Sequence, residues 1–288
     1  MSAQTALIGV DFTSHGDAAL RWAHQHGSSF GWNLEAVHAW RYPWWAAGPF
    51  GSAEGEVRDE VISSARRHLQ EFVKTHLPEG TETLSMTVVE DEPTVALLNE
   101  ADATEAVAIV IGTTGKGVIS GALTGAVGRR LAAASTTPVV IVPDDYRPEP
   151  GPIVVGVAGS ANSVAALEWA IEHRREGQDV IAVTSWTANA VHLAAVVAAD
   201  LDLMEVSARK QLSDTIDKAE SDGIDCSDVD QRVLHGDARV VLRDLADEAE
   251  MLVVGTRGAS GLEGLLLGSV ASSLTHKPKC PLVLVPSN

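Results

Sequence analysis

In the stretch VVGTRGASGLEGLLLGSVASSL (253–274), Gly255 closes an apolar run and Gly258 follows inside the turn. After nine intervening residues Gly268-Ser269 opens the next helical pattern. Positions without side chains let backbone N–H groups close on an anion, and a helix N-terminus adds free donors and partial positive charge. Ser269 can add a hydroxyl donor. The chemistry this spacing suits is phosphate binding. It recurs at Gly112, Gly115 and Gly125, where Ala126 stands in place of the serine. It is neither a Walker loop, which would put Lys-Ser/Thr after the second glycine, nor the dinucleotide GxGxxG. Strand-to-helix connections also use glycine for steric reasons alone, and duplication copies structural glycines as faithfully as functional ones. Cations lie close by: Lys116 inside the first loop, Arg129 and Arg130 beyond it, and Arg257 in the second loop.

The elements that must position these glycines are written twice. ALIGVDFTSHGDAALRWA (6–23) aligns with IVVGVAGSANSVAALEWA (153–170), and Trp40 with Trp186. AIVIGTTGKGVISGALTGAVGRRLAAASTTPVVIVP (108–143) matches MLVVGTRGASGLEGLLLGSVASSLTHKPKCPLVLVP (251–286) without a gap. A tandem duplication follows. Between the copies, the proline-rich DDYRPEPGP (144–152) reads as an extended, solvated linker. The expected domains are 1–146 and 151–288.

Short Val/Ile/Leu runs without polar alternation mark strands buried on both faces, and they alternate with helix-period stretches. Strands are expected near 6–10, 34–38, 83–89, 107–111 and 139–142, and near 153–157, 179–184, 229–233, 251–254 and 282–285. Helices are expected near 17–29, 54–76, 94–102 and 125–134, and near 163–174, 190–221, 238–248 and 268–276. Pro93 suits a first helical turn, and Ala238 holds the matching place. The fold class is α/β, two tandem domains that each hold a five-stranded parallel sheet sandwiched by helices, Rossmann-like, with ligands expected at the carboxyl ends of the strands near the switch in strand order.

Composition narrows the partners. A formal charge of −18 repels nucleic acid and anionic membranes over most of the surface. No run reaches the ~18 apolar residues of a membrane helix, and MSAQTALIGVDF lacks a signal-peptide pattern. The expectation is a cytoplasmic protein with reduced thiols at Cys226 and Cys280. The histidines, His24, His26 and His235 among them, show no metal spacing and read as surface or packing residues. Thr13, Ser160 and Ser269 have no neighbouring His-Asp signature of a nucleophile. AWRYPWWAAGPFG (39–51) reads as a loop packing on its own domain or a partner, with base stacking as the alternative.

A strand ending Gly-x-x-Gly, nine residues, Gly-Ser, a helix, and a strand opened by Pro-Val and closed by Val-Pro resembles the universal stress protein family. With the GVD strand at the start, the likeness runs over nearly the whole chain in the tandem two-domain form. It implies an adenine nucleotide alpha hydrolase-like fold that pairs through the last strand, a loop that holds ATP phosphates, and an Asp that contacts the nucleoside. The implied ATP-binding set is Asp11, Val37, Ala39, Gly112, Gly115, Lys116, Gly125 and Ala126 in the first half, and Gly255, Arg257, Gly258, Gly268 and Ser269 in the second. The halves depart from the pattern differently: the first has Ala126 for Ser, the second Ala158 for Asp. Loss of a neutral hydroxyl contact costs about 0.5–1.5 kcal/mol and loss of a carboxylate acceptor about 1.5–3 kcal/mol, so the first site is the less damaged. Mg²⁺ would offset phosphate charge, although no carboxylate cluster specifies a site for it.

Three function classes stay open: an ATP-binding stress-response regulator with slow or no hydrolysis, which is favoured; an ATP-using enzyme; and a nucleotide-free interaction module. The apolar last strands PVVIVP and PLVLVP need covering, so the halves are expected to pair as an intramolecular pseudo-dimer and the chain to form a homodimer.

Overall fold

The computed structural model describes residues 4–41, 54–77, 84–113, 126–187, 198–258 and 267–287. The aromatic run at 42–51, the start of the long second-half helix at 190–197, and most of both glycine loops lie outside them. The chain divides into two compact units, one of residues 1–131 with 139–146, the other of 132–138 with 147–288.

The first unit runs β1 (Gln4–Gly9), α1 (Ser14–Phe30), β2 (Trp32–Trp40), α2 (Glu54–His76), β3 (Leu84–Glu90), α3 (Pro93–Thr104), β4 (Ala108–Gly112), α4 (Ala126–Ala134) and β5 (Val139–Val142). Its sheet order is β3-β2-β1-β4-β5, all neighbours parallel. The second unit runs β6 (Ile153–Gly156), α5 (Ala161–Glu172), β7 (Val180–Trp186), α6 (Ala198–Ser221), β8 (Asp230–His235), α7 (Ala238–Leu245), β9 (Met251–Gly255), α8 (Ser269–Leu274) and β10 (Leu282–Val285). The order β8-β7-β6-β9-β10 repeats the first. Strand order therefore reverses beside β1 and beside β6, and Asp11 with Gly112, or Ala158 with Gly255, lie just there.

Central strands are buried because helices cover both faces of a parallel sheet. Leu7, Ile8, Ile109 and Val110 are fully buried in the first unit, as are Ile153, Val155 and Val253 in the second. One packing device occurs twice. Trp22 stacks on His26 four residues on, with centroids 4.6 Å apart, and Trp169 stacks on His173 at 4.2 Å. Each histidine Nδ1–H donates to the tryptophan carbonyl, at 3.0 and 2.8 Å. Burial pushes His173 below its ordinary value, which favours the neutral ring beside Trp169.

Helix starts are specified locally. Thr13 and Ser160 are the N-caps of α1 and α5: the Thr13 hydroxyl accepts from His15 N, and the Ser160 hydroxyl from Ser163 N. Glu92 and Asp237 cap α3 and α7 by accepting from Thr94 N and Arg239 N. Pro93 occupies the first turn of α3, where its missing N–H removes no helical bond.

The solvated-linker expectation needs a correction. Tyr146 is buried, its hydroxyl 3.2 Å from Gln25 Oε1. At the other end the Gly151 N–H donates to the buried Glu250, which also accepts from Arg175 and from Gln178 at 2.9 Å. Residues 144, 145 and 147–150 are exposed, as in a solvated linker, so the departure is confined to Tyr146 and the Gly151 end. Both cysteines are buried free thiols; desolvation pushes Cys280 up to about 12 and Cys226 up to about 11, so both stay protonated at neutral pH.

The closest backbone approach in each unit sets a requirement for glycine. A Cβ on Gly112 would overlap the His15 carbonyl oxygen and lie 2.5 Å from its carbon. A Cβ on Gly255 would lie 2.5 Å from Asn162 Cβ and 2.8 Å from its carbonyl. The first turn of α1, or α5, is seated directly on the last residue of β4, or β9. Backbone cannot swing aside as a flexible side chain can, so Gly112→Ala and Gly255→Ala are expected to destabilise their units by about 1–3 kcal/mol each, measured by denaturant unfolding. Glu100 on α3 supplies a second test. Burial, and then the charge of Glu35, raise it above the ordinary carboxylate value. Folding thus favours its protonated form, and that contribution is complete at pH below the unfolded value and fades as pH rises through the folded one. Glu100→Gln is expected to raise the melting temperature relative to wild type more at pH 7 than at pH 4.

Candidate functional site

In the first unit the chain leaves β1 through Val10, whose N–H donates to Val37 O at 2.9 Å. Asp11 follows, exposed, and accepts from Thr13 N at 3.1 Å and from the Thr13 hydroxyl at 2.7 Å. This short Asx turn orients the carboxylate and the helix cap together. Gly16 lies beneath: a Cβ there would come within 2.9 Å of Asp11 Oδ1.

Between Asp11 and Thr13, Phe12 holds a left-handed backbone, φ 58°, where the second unit has Gly159 at φ 66°. A non-glycine residue there is strained, and its surroundings must hold it. They do so through its ring, centred 4.1 Å from His38, 5.8 Å from Phe72 and 6.3 Å from His68. His38 Nδ1–H donates to Val10 O at 2.7 Å. Burial pushes His38 below its ordinary value more than this hydrogen bond and Asp11 raise it, so at neutral pH it is an uncharged ring with Nε2 as acceptor. Val37 and Ala39 flank it on β2. Val37 is buried and offers the site its backbone, whereas Ala39 is partly exposed.

Gly112 ends β4 beside His15, which in turn adjoins Gly16 and Asp11, so Asp11 and Gly112 share one edge of the sheet. Ala126 begins α4, where its carbonyl accepts from Arg130 Nε at 3.3 Å. Gly115, Lys116 and Gly125 fall outside the described residues. Arg130 also pairs with Glu92, the N-cap of α3, at 3.3 Å.

In the second unit more of the set lies among the described residues. A Cβ on Gly268 would lie 3.3–3.5 Å from Thr256 O, Arg257 Cα and Gly258 N, and one on Gly258 3.9 Å from Ala158 Cβ. Ser160 Oγ donates to Arg257 O at 3.3 Å. Thus Ala158, Ser160, Gly255, Arg257, Gly258 and Gly268 converge on one turn, with Ser269 exposed as the first residue of α8. Gly268 N–H donates back to Thr256 O at 2.8 Å, closing the turn. In the next residues of α8, helix geometry leaves N–H groups without intrahelical partners. The absent carboxylate is matched by a second change. Ser163 stands where the first unit has Gly16, and its hydroxyl accepts from Ala158 N at 2.9 Å and lies 3.0 Å from Ser160 Oγ. Asp11/Gly16 and Ala158/Ser163 are alternative ways of filling one space.

Residue-by-residue sequence reasoning missed a second layer, comprising His15, Thr113 and Asp144 in one unit, Asn162, Thr256 and Ser287 in the other, and the Phe12–His38 pair. The internal alignment held the signal for the first six, because each of the three positions is polar in both copies. Among the described residues no group of three or more His, Cys, Asp or Glu side chains is placed to hold a metal ion, and no helix is long and apolar enough to cross a membrane.

Comparison with known proteins agrees with this arrangement. The universal stress protein family model matches residues 3–143 and again 150–286. A universal stress protein of Mycolicibacterium smegmatis is 28% identical over 285 residues, spanning 97% of this chain and 96% of that protein. One from Mycobacterium tuberculosis is 26% identical over 292 residues, spanning 96% of this chain and 95% of the other. The crystal structure of a universal stress protein from Archaeoglobus fulgidus aligns over all of both chains with a TM-score of 0.62 at 17% identity, a likeness of fold. Two family matches end to end, on two units with the same strand order, mean that this chain belongs to the universal stress protein family and carries its domain twice.

Proposed function

We propose that the chain binds ATP at the strand-to-helix turns of its units and acts in the cytoplasm, as a homodimer, as a nucleotide-dependent regulator of a stress response, with slow or no hydrolysis. The observation that carries this reading is the convergence of Gly255, Gly258 and Gly268 with Ala158 and Ser160 at the point where strand order reverses. Crevices at such switch points are where open α/β sheets bind ligands. A nucleotide there would meet backbone N–H groups of α8 and the Ser269 hydroxyl, and the exposed Arg257 supplies positive charge locally in a protein of net −18. In the first unit Asp11, held by Thr13, would accept from the nucleoside, beside Val37 and Ala39. Gly115, Lys116, Gly125 and Ala126 would complete the phosphate side. Mg²⁺ would arrive with the phosphates, since the described residues hold no carboxylate cluster for it.

One observation favours a second reading, a nucleotide-free interaction module. Gly112 and Gly255 are required by the seating of α1 and α5 alone, so their duplication does not by itself demand an anion.

Mass spectrometry of nucleotide released by denaturing freshly purified protein separates the two readings. One to two moles of adenine nucleotide per chain are expected, and Asp11→Ala is expected to weaken ATP binding in the first unit by about 10- to 100-fold, the worth of a carboxylate acceptor. No released nucleotide, together with a flat ATP titration, would leave the interaction module.

A further inference from the structure

Each glycine loop leaves its strand through a threonine, Thr113 after Gly112 and Thr256 after Gly255. In both units that hydroxyl is tied by side chains to two other segments. In the first, Asp144, just beyond β5, accepts from Thr113 Oγ1 at 2.6 Å and from His15 Nδ1–H on the first turn of α1. In the second, Asn162 on the first turn of α5 donates from Nδ2 to Thr256 Oγ1 at 2.9 Å, and its Oδ1 accepts from Ser287 Oγ, just beyond β10, at 2.9 Å. The positions correspond one to one under the internal alignment. The chemistry does not: the hub is a carboxylate on the strand side in one unit and an amide on the helix side in the other.

We infer that these two triads are equivalent tethers that hold the first residue of each glycine loop, and that His15 and Asn162 are positioning residues for the ligand turn. Shared ancestry alone would have left the same residues or lost the contact. Instead two of three residues differ and the connection persists, which points to the connection as the thing required. Both helix-side members are buried, His15 at 6% and Asn162 at 7% exposure, and each lies against the glycine that ends the strand. The bonds join segments 129 and 31 residues apart in one unit, and 94 and 125 apart in the other. Each tether therefore fixes strand exit, loop start and helix start relative to one another. A turn so held keeps its amides preorganised for an anion, and freedom at its first residue would have to be lost on binding. The inference rests on the nucleotide reading for its consequence, though not for its geometry.

The test uses the full chain and 8-azido-ATP, with labelled peptides assigned to each unit by mass spectrometry, beside hydrogen exchange of the amides following Thr113 and Thr256. His15→Ala is expected to weaken labelling of the first unit by about 3- to 10-fold and leave the second unchanged, and Asn162→Ala to do the reverse. Thr113→Val, which keeps the side-chain shape, is expected to behave as His15→Ala does. The double variant His15→Asn, Asp144→Ser, which transplants the second unit's set onto the first, is expected to restore labelling to within about twofold. Alanine variants that lower the melting temperature but leave both labelling and loop exchange unchanged would overturn the inference, as would a transplant that fails to rescue either readout. Should wild type take no label in either unit, the nucleotide reading fails separately. The tether is then decided by exchange alone: faster in the alanine variants and normal in the transplant upholds it, and unchanged overturns it.

Discussion

The first turn of α1 lies on Gly112 and the first turn of α5 on Gly255 at distances that no side chain would permit. That approach has two effects. It brings the helix N-terminus down onto the carboxyl end of the central strands, beside the reversal of strand order. It also places residue 15, or 162, within reach of the first residue of the loop and of the chain leaving the last strand. Glycine at these positions is thus explained by packing before any ligand is considered, and the case for nucleotide binding rests more on Gly258, Gly268 and Asp11.

The two units are copies in topology and differ in chemistry. Asp11 with Gly16 becomes Ala158 with Ser163, Phe12 in a left-handed conformation becomes Gly159, and a carboxylate–imidazole tether becomes an amide–hydroxyl one. The first and third exchanges are paired, since the space or hydrogen bond given up by one residue is taken by a neighbour. Packed interiors enforce such pairing because an unfilled volume or an unmet buried donor costs kilocalories. Among the described residues, this edge of the first unit carries Asp11 and Asp144 where the second has Ala158, Ser287 and the exposed Arg257.

Phe12 shows how strain is accommodated. A left-handed backbone at a bulky residue is disfavoured, and here the ring is clasped by His38 from β2 and by His68 and Phe72 from α2. His38 contributes as a neutral ring, since burial holds it below its ordinary value. The loop after β1 is therefore tied to α2 in the first unit. In the second unit Gly159 adopts the same backbone without a side chain to clasp.

Sequence alone determined what depends on local pattern and on repetition. Apolar runs of four or five residues separated by helical periods gave the parallel α/β order, because burial on both faces leaves no room for polar alternation. The copy of that order from 153 onward gave two domains, and Pro93 marked a helix start whose physics is complete within a few residues. Tertiary structure alone decided the rest. That Gly112 serves a helix seat, that Tyr146 packs instead of floating in a linker, and that His15 meets Asp144 across 129 residues are outcomes of which segments the sheet places side by side. A single side chain carries no mark of a partner so distant. The meeting is fixed by strand order and helix seating, which the whole chain must fold to create.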